Sequence, residues 1–236
     1  MSPPARVCVV VPTYNEKENI APLIESLEQA AVPGLSLVFV DDSSPDGTAA
    51  EVKRLADEKP WIELLQRQRK MGIGSAYQEG FKMAMNSIRP GVLVEMDADL
   101  QHPASALPGL VAAIDDGADV AIASRYIPGG GISGWSRLRR TVSRGANGYA
   151  RSMLGLKVKD ATSGYRAFSK AAAEAVARAE LPAKGFEFQV ATLHLLKDKW
   201  KTVEVPFTFT ERTAGKSKLG LADVARFFVA VLRMAF

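Results

Sequence analysis

The chain has 236 residues and is short of the groups on which several common chemistries depend. Its one cysteine, Cys8, lies inside an apolar run, so no internal disulfide can form. That usage fits a reducing compartment, and Cys8 reads as a small core hydrophobe rather than a reactive thiol. There are two histidines, His102 and His194, and no Gly-x-Ser-x-Gly turn, which leaves a Ser–His–Asp triad little support. No P-loop is present. The first apolar run leads into Pro12-Thr13-Tyr14-Asn15 rather than a G-x-G-x-x-G turn, which argues against a dinucleotide-binding domain. No run reaches the ~20 apolar residues that a membrane-crossing helix needs. The first six residues do not open a secretory signal. Repeats and low-complexity segments are also missing.

What is present describes a folded domain. Apolar residues make up 47% and charged residues 24%, the balance of an ordinary globular chain, and the length supports one sizeable core. The net charge of +4 is mildly basic. The cations cluster, with Arg137, Arg139, Arg140, Arg144 and Arg151 in one segment and Arg212, Lys216 and Lys218 in another. Such clusters suit phosphates of a small substrate, a membrane surface or nucleic acid. Acidic strand ends without interleaved aromatics make a poor nucleic-acid surface, so nucleic acid is not the expected partner.

Short apolar runs alternate with stretches of helical period over the first two-thirds of the chain. The runs Val7–Val11, Leu37–Val40, Ile62–Leu65, Val92–Met96 and Val120–Ala123 predict strands buried on both faces of a parallel sheet. Helices are predicted at Lys17–Gln29, Gly47–Glu58, Gly74–Ile88 and Ala104–Asp116. This alternation predicts an open α/β sheet. Beyond Ser124 the reading is a Gly-rich stretch (Ile127–Gly134), a basic helix (Ser136–Leu154) and a turn-rich piece (Asp160–Phe168). Helices at Lys170–Ala179 and Phe186–Leu196, a strand at Thr202–Phe209 and a final helix at Leu219–Phe236 complete it. No linker divides the chain, which reads as a single catalytic domain, 1–218, closed by the amphipathic segment 219–236.

Ligands of open α/β sheets sit at the carboxyl ends of the strands. Here those ends read Pro12 to Glu16, Asp41 to Ser44, Lys70 to Gly74, Asp97 to His102 and Ser124 to Tyr126, all polar, acidic, aromatic or glycine. Asp97 and Asp99 stand two apart, and carboxylates so close repel unless a cation or proton intervenes. A hard divalent ion, Mg²⁺ or Mn²⁺, would bridge them to a diphosphate, with Gln101 adding a carbonyl. The other reading of this segment is a polar loop before a helix start at Pro103, with His102 bonded locally. Asp42 suits hydrogen bonds from a base or ribose, and Tyr14 offers a face for stacking. Gly72 and Gly74 open a helix as a weak G-x-G signal.

Taken together, these segments resemble the inverting glycosyltransferases of the GT-A fold, in the family that includes the dolichol- and polyprenol-phosphate mannose synthases. The resemblance rests on Val9 to Glu16, Asp41 to Thr48, Asp97 to Pro103, Ser124 to Tyr126 with Gly129 to Trp135, Arg144 to Asn147, Asp160 to Arg166 and Arg212 to Lys218. It covers nearly the whole chain. It implies a Rossmann-like, mostly parallel sheet flanked by helices, and transfer of mannose from GDP-mannose to a dolichyl or polyprenyl monophosphate with inversion. It implies that Pro12, Tyr14, Glu16 and Asp42 hold the nucleotide, and that Asp97, Asp99 and Gln101 hold a divalent metal, Mg²⁺ or Mn²⁺. Arg125, Arg139, Arg212 and Lys218 would bind the acceptor phosphate, with Asp99, Arg125 and Arg212 central to catalysis. Such an acceptor is already an anion near neutrality and needs positioning more than a general base. Arginine forks provide that, although each arginine taken alone would read as a surface salt bridge.

A polyprenyl acceptor lives in a bilayer, so the resemblance implies a peripheral protein at the cytoplasmic face of a membrane, with a membrane-anchoring subunit among its conceivable partners. The final helix is too short and too charged to span. It reads either as an interfacial helix with Arg226 and Arg233 toward headgroups or as a core-packed closing helix. The competing functions are glucosyl transfer from UDP-glucose to the same lipid, transfer to a growing polysaccharide, and an inactive nucleotide-sugar-binding subunit.

Overall fold

The computed structural model describes residues 7–181, 185–210 and 221–236. Its centre is a sheet of seven strands: β1 (Val7–Thr13), β2 (Leu35–Asp41), β3 (Ile62–Gln66), β4 (Val92–Glu95), β5 (Val120–Ser124), β7 (Arg166–Ser169) and β8 (Thr202–Pro206). Their spatial order is β3-β2-β1-β4-β7-β5-β8. Every pairing is parallel except those of β7, which runs antiparallel to both β4 and β5. The expected mostly parallel, single-domain α/β sheet is therefore present.

Side chains alternate across each strand, and both faces are apolar. From β1, Cys8 and Val10 enter one core, while Val7, Val9 and Val11 enter the other. In β2, Val38 and Val40 face the first core, and Leu37 and Phe39 the second. Helices α1 (Lys17–Gln29), α2 (Thr48–Glu58) and α4 (Leu107–Asp115) cover one face. Helices α3 (Ile73–Ser87), α6 (Lys170–Arg178) and α7 (Phe188–Leu196) cover the other, with the long α5 (Arg137–Leu154) and the terminal α8 (Leu221–Ala235) beside them. A β1–β2 sheet buried this way needs α3 to lie close. Gly80 allows it, since a Cβ there would fall 2.3 Å from Val10 Cγ1 and 2.9 Å from Val40 Cγ2.

Two elements differ from the sequence expectation. The segment expected to be turn-rich, Asp160–Phe168, ends in strand β7 at the middle of the sheet. It shows no apolar run because it opens on Arg166, which is wholly buried opposite Glu95 in the register. The single strand expected over Thr202–Phe209 is two. After β8, Phe207 lies between ladders and β9 (Thr208–Phe209) pairs with β6 (Gly131–Ile132) in a separate two-stranded sheet. The break falls at Pro206, which has no N–H to continue a ladder.

Helix α8 packs one side on the core and leaves apolar side chains on its other side exposed. Phe227 and Val231, one helical turn apart, are buried in the core, while Val229, Leu232 and Phe236 are exposed. Tyr149 of α5 meets Phe228 of α8 in a tilted ring contact with centroids 4.9 Å apart. Among the described residues, no helix is long and apolar enough to cross a membrane.

Candidate active site

Because β1, β2, β3, β4, β5 and β8 run the same way, their carboxyl ends share one edge of the sheet. The polar segments expected there are brought together at that edge.

The β4 end carries the acidic loop. Asp97 accepts a hydrogen bond from the Tyr77 hydroxyl at 3.1 Å through Oδ1. Its backbone N–H donates to His102 Nδ1 at 3.0 Å. His102 is held in turn by stacking on Tyr165, with centroids 5.0 Å apart. This is the local role expected of His102 rather than that of a ligand. Asp99 is buried and its Oδ1 accepts from the Gln101 backbone N–H at 3.1 Å, closing a tight turn in which Leu100 has φ 62°. The Gln101 amide donates to the Thr210 carbonyl at 3.3 Å, which leaves its carbonyl oxygen as the acceptor of that side chain. Gly164 brings the 160–166 loop against this turn, since a Cβ there would stand 3.9 Å from Asp97 Oδ2 and 3.7 Å from His102.

Behind the loop lie two buried ionisable side chains; Arg166 donates to the carbonyls of Gln189 at 2.7 Å and Ala161 at 2.9 Å. Glu95 and Arg166 are both fully buried and face each other across β4 and β7. Burial pushes the Glu95 carboxyl up to about 7, against the opposing pull of Arg166. Burial also raises Tyr77 well above its ordinary value, with the charges of Asp97 and Glu95 adding to the shift. Tyr77 therefore stays a hydrogen-bond donor to Asp97.

On the β2 side, Asp41 and Asp42 divide their tasks. Asp41 is structural: it accepts from Thr13 Oγ1 at 3.0 Å and from the Ser44 backbone N–H at 2.9 Å, tying the β1 and β2 tips together. Asp42 is paired with Arg67, a residue absent from the expected set. Arg67 follows β3 directly and is nearly buried. It also reaches Ser75 at 2.7 Å and the Gly72 carbonyl at 3.2 Å, fastening the start of α3 to the β2 end. Its signal was its place one residue past a strand. Tyr14 faces Lys70, whose Nζ stands 4.3 Å from the ring centroid. Glu16 accepts from Asn19 Nδ2 at 2.7 Å, at the start of α1. Pro12 is the half-buried penultimate residue of β1.

Arg125 is already engaged within the protein. It forms a bidentate pair with the fully buried Asp160, 2.7 Å from Nε to Oδ2 and 2.7 Å from Nη2 to Oδ1, and Nη2 also reaches Thr162 at 2.9 Å. Burial disfavours its charge, but the Asp160 hydrogen bonds and charge outweigh that and raise it above the ordinary value. The fork is already occupied, so Arg125 offers a phosphate at most its remaining edge at Nη1. Arg139 stacks on Trp135, 4.1 Å from the ring centroid, and Arg125 lies 5.9 Å from the same ring. The two arginines thus flank Trp135. Arg212 and Lys218 lie outside the described residues.

A family model described as glycosyl transferase family 2 matches residues 8–177, spanning this edge from β1 through α6. The chain belongs to glycosyl transferase family 2. The transferase is 42% identical over 226 residues to the polyprenol monophosphomannose synthase of Mycolicibacterium smegmatis, covering 94% of this chain and 84% of that protein. It is 40% identical over 229 residues to the undecaprenyl-phosphate mannosyltransferase of Micrococcus luteus, covering 97% and 93%. It is 41% identical over 219 residues to the dolichol-phosphate mannosyltransferase of Pyrococcus furiosus, where it covers 91% of this chain but 59% of that longer protein. In fold, the transferase resembles glucosyl-3-phosphoglycerate synthase from Mycobacterium tuberculosis, solved with Mn²⁺, uridine diphosphate and product. The TM-score is 0.71 at 19% identity, over 98% of this chain and 80% of that one. It also resembles a mannosyltransferase from Pyrobaculum calidifontis solved with GDP-Man and Mn²⁺, with a TM-score of 0.62 at 16% identity, over 99% and 74%. Among its described residues, the transferase has no group of three or more His, Cys, Asp or Glu side chains placed to hold a metal.

Proposed function

We infer that the chain transfers mannose from GDP-mannose to the phosphate of a polyprenyl or dolichyl lipid, inverting the sugar's anomeric centre. The observation that carries this reading is 40–42% identity, over more than nine-tenths of the chain, with proteins named for mannosyl transfer to such lipids. The acidic loop supplies a fitting chemistry.

Asp97, Asp99 and the Gln101 carbonyl are hard oxygen donors of the kind that suit Mg²⁺ or Mn²⁺. Two carboxylates leave coordination places for diphosphate oxygens and water. When bound, such an ion stabilises negative charge on the departing nucleoside diphosphate as a Lewis acid. The protein's own residues do the rest. Tyr77 and His102 fix Asp97, the Asp99–Gln101 turn fixes the second carboxylate, and Arg67 holds Asp42 where a ribose or base would meet the β2 tip. Tyr14 and Lys70 form the wall beside it. The acceptor is an anion near neutrality and needs no base. Arg139, the Nη1 edge of Arg125, and Arg212 with Lys218 hold it in position against the donor. The lipid tail requires the protein to act at a membrane surface, and the exposed apolar side chains of α8 and α5 (Val229, Leu232, Leu138, Val142), with Phe236 just beyond α8, suit that contact.

The test is a transfer assay with radiolabelled GDP-mannose and a polyprenyl phosphate in detergent, with Mg²⁺ or Mn²⁺ and with chelator. Chelator-sensitive label in the lipid phase is expected. Label from UDP-glucose but not from GDP-mannose would assign the glucosyl reaction instead, and silence with both would overturn transfer to lipid.

A further inference from the structure

A cavity of about 680 Å³ opens beside Arg125, and none of its lining residues belongs to the acidic loop. Its walls are the 125–130 loop, the carboxyl-terminal half of α5 and Lys159. Four of its lining residues are cations, Arg125, Arg144, Arg151 and Lys159, and none is a carboxylate. Among the described residues, none of Arg144, Arg151 and Lys159 has an ion-pair partner. Arg151 Nε is buried without any hydrogen-bond partner, and a buried donor left unmade is costly unless a ligand or water satisfies it.

The cavity is also built rather than incidental. Asn147 of α5 clamps the opposite wall, donating to the Lys159 carbonyl and accepting from the Ala161 N–H at 2.9 Å. That holds Lys159 across from Arg144 and Arg151. Gly130 lets the third wall fold back on itself, since a Cβ there would meet the Ser124 carbonyl oxygen at 2.4 Å. Arg144 lies 5.9 Å from the Tyr126 ring centroid, which restricts its guanidinium.

We propose that this cavity is a second phosphate site, separate from the donor site at the acidic loop, in which Arg144, Arg151 and Lys159 bind a phosphate group other than the one that receives the sugar. Phosphate is the ligand chemistry that three cations lining one cavity, two of them guanidinium forks, fit best. Two sources carry it: a phospholipid headgroup or a soluble phosphate. The cavity's chemistry is common to both, and the two probes below distinguish them. The site does not depend on the transfer reaction and is tested without it.

The experiment compares the full chain with Arg144→Gln/Arg151→Gln and with Arg137→Gln/Arg140→Gln. The second pair removes equal charge from the same helix outside the cavity; Arg144 is exposed like that pair, and Arg151 is half-buried. Binding is read by flotation with phosphatidylcholine vesicles with and without phosphatidylglycerol, and by calorimetric titration with inorganic phosphate. The cavity pair is expected to weaken binding of at least one probe by about tenfold or more, and the control pair by far less. Lys159→Gln, off the helix, is expected to weaken the same probe. Loss with phosphatidylglycerol vesicles alone assigns the headgroup, and loss with inorganic phosphate alone assigns a soluble anion. Equal loss in both pairs, or no binding of either probe by the wild type, overturns the site.

Discussion

Tyr77, buried in α3, donates its hydroxyl to Asp97 at the end of β4 across 3.1 Å. The tyrosine ring is also stacked on Phe188, with centroids 6.1 Å apart, so a core residue sets the direction of a candidate metal ligand. Groups that orient a ligand typically change metal affinity 10–100-fold when removed. Tyr77→Phe keeps the ring and deletes only the hydrogen bond. We expect it to raise the Mn²⁺ concentration that half-saturates transfer by roughly tenfold, with kcat at saturating metal little changed. An unchanged metal dependence would show that Asp97 needs no such support.

Asp99 is the more direct case. Asp99→Asn keeps an oxygen for the Gln101 N–H but removes the charge. Stabilisation of the leaving diphosphate is worth several kcal/mol, so transfer is expected to fall about a hundredfold or more, with the thermal midpoint close to wild type. Near-normal transfer at ordinary metal concentrations would remove Asp99 from the metal site.

The parts of this site that were legible in the sequence are those that lie along the chain. Asp97, Asp99, Asp42 and Tyr14 each follow an apolar run, and strand ends at one sheet edge follow from alternation alone. What was not legible lies across space. Arg67 gains its meaning only by reaching back to Asp42, and Tyr77 is just one more apolar position of α3 until its hydroxyl meets β4. Strand β7 escaped because a buried Arg166 looks like a surface residue when its partner, Glu95, is more than sixty positions away in the sequence. Arg125 is a further case: its place at a strand end is legible in the sequence, and only the fold brings Asp160 to it.

Packing of α3 on the sheet gives a test of the fold itself. Gly80→Ala would place a methyl group 2.3 Å from Val10 Cγ1, in a core with no room to yield. Overpacking of this kind costs ~1–3 kcal/mol, although alanine is the better helix former by ~1 kcal/mol. Packing is expected to win, and denaturant titration should show a net loss of stability. A gain would mean that α3 stands off the sheet more than described.

Cys8 faces that same core and is wholly buried, and burial raises its thiol well above the ordinary value. The thiolate is the reactive form, so a thiol reagent should leave the native chain unlabelled and modify it only as it unfolds. Rapid labelling under native conditions would contradict the burial of β1.

The pair Arg125–Asp160 separates a structural from a catalytic cation. Both side chains are nearly or wholly buried, with two short contacts between them. Removing one partner of a buried pair strands the other and costs ~3–5 kcal/mol. Asp160→Asn is therefore expected to lower unfolding free energy by about 3 kcal/mol. Arg125→Lys keeps the charge but cannot fork onto both carboxylate oxygens. If Arg125 serves mainly to fasten the 160–164 loop under the acidic turn, both variants will lose stability together, and the KM for acceptor will follow that loss. If its free edge grips the acceptor, Arg125→Lys will raise the acceptor KM well beyond what Asp160→Asn does at matched stability. Measured stabilities of both variants within ~0.5 kcal/mol of wild type, the range of an ordinary surface change, would instead mean that the pair is not buried as described.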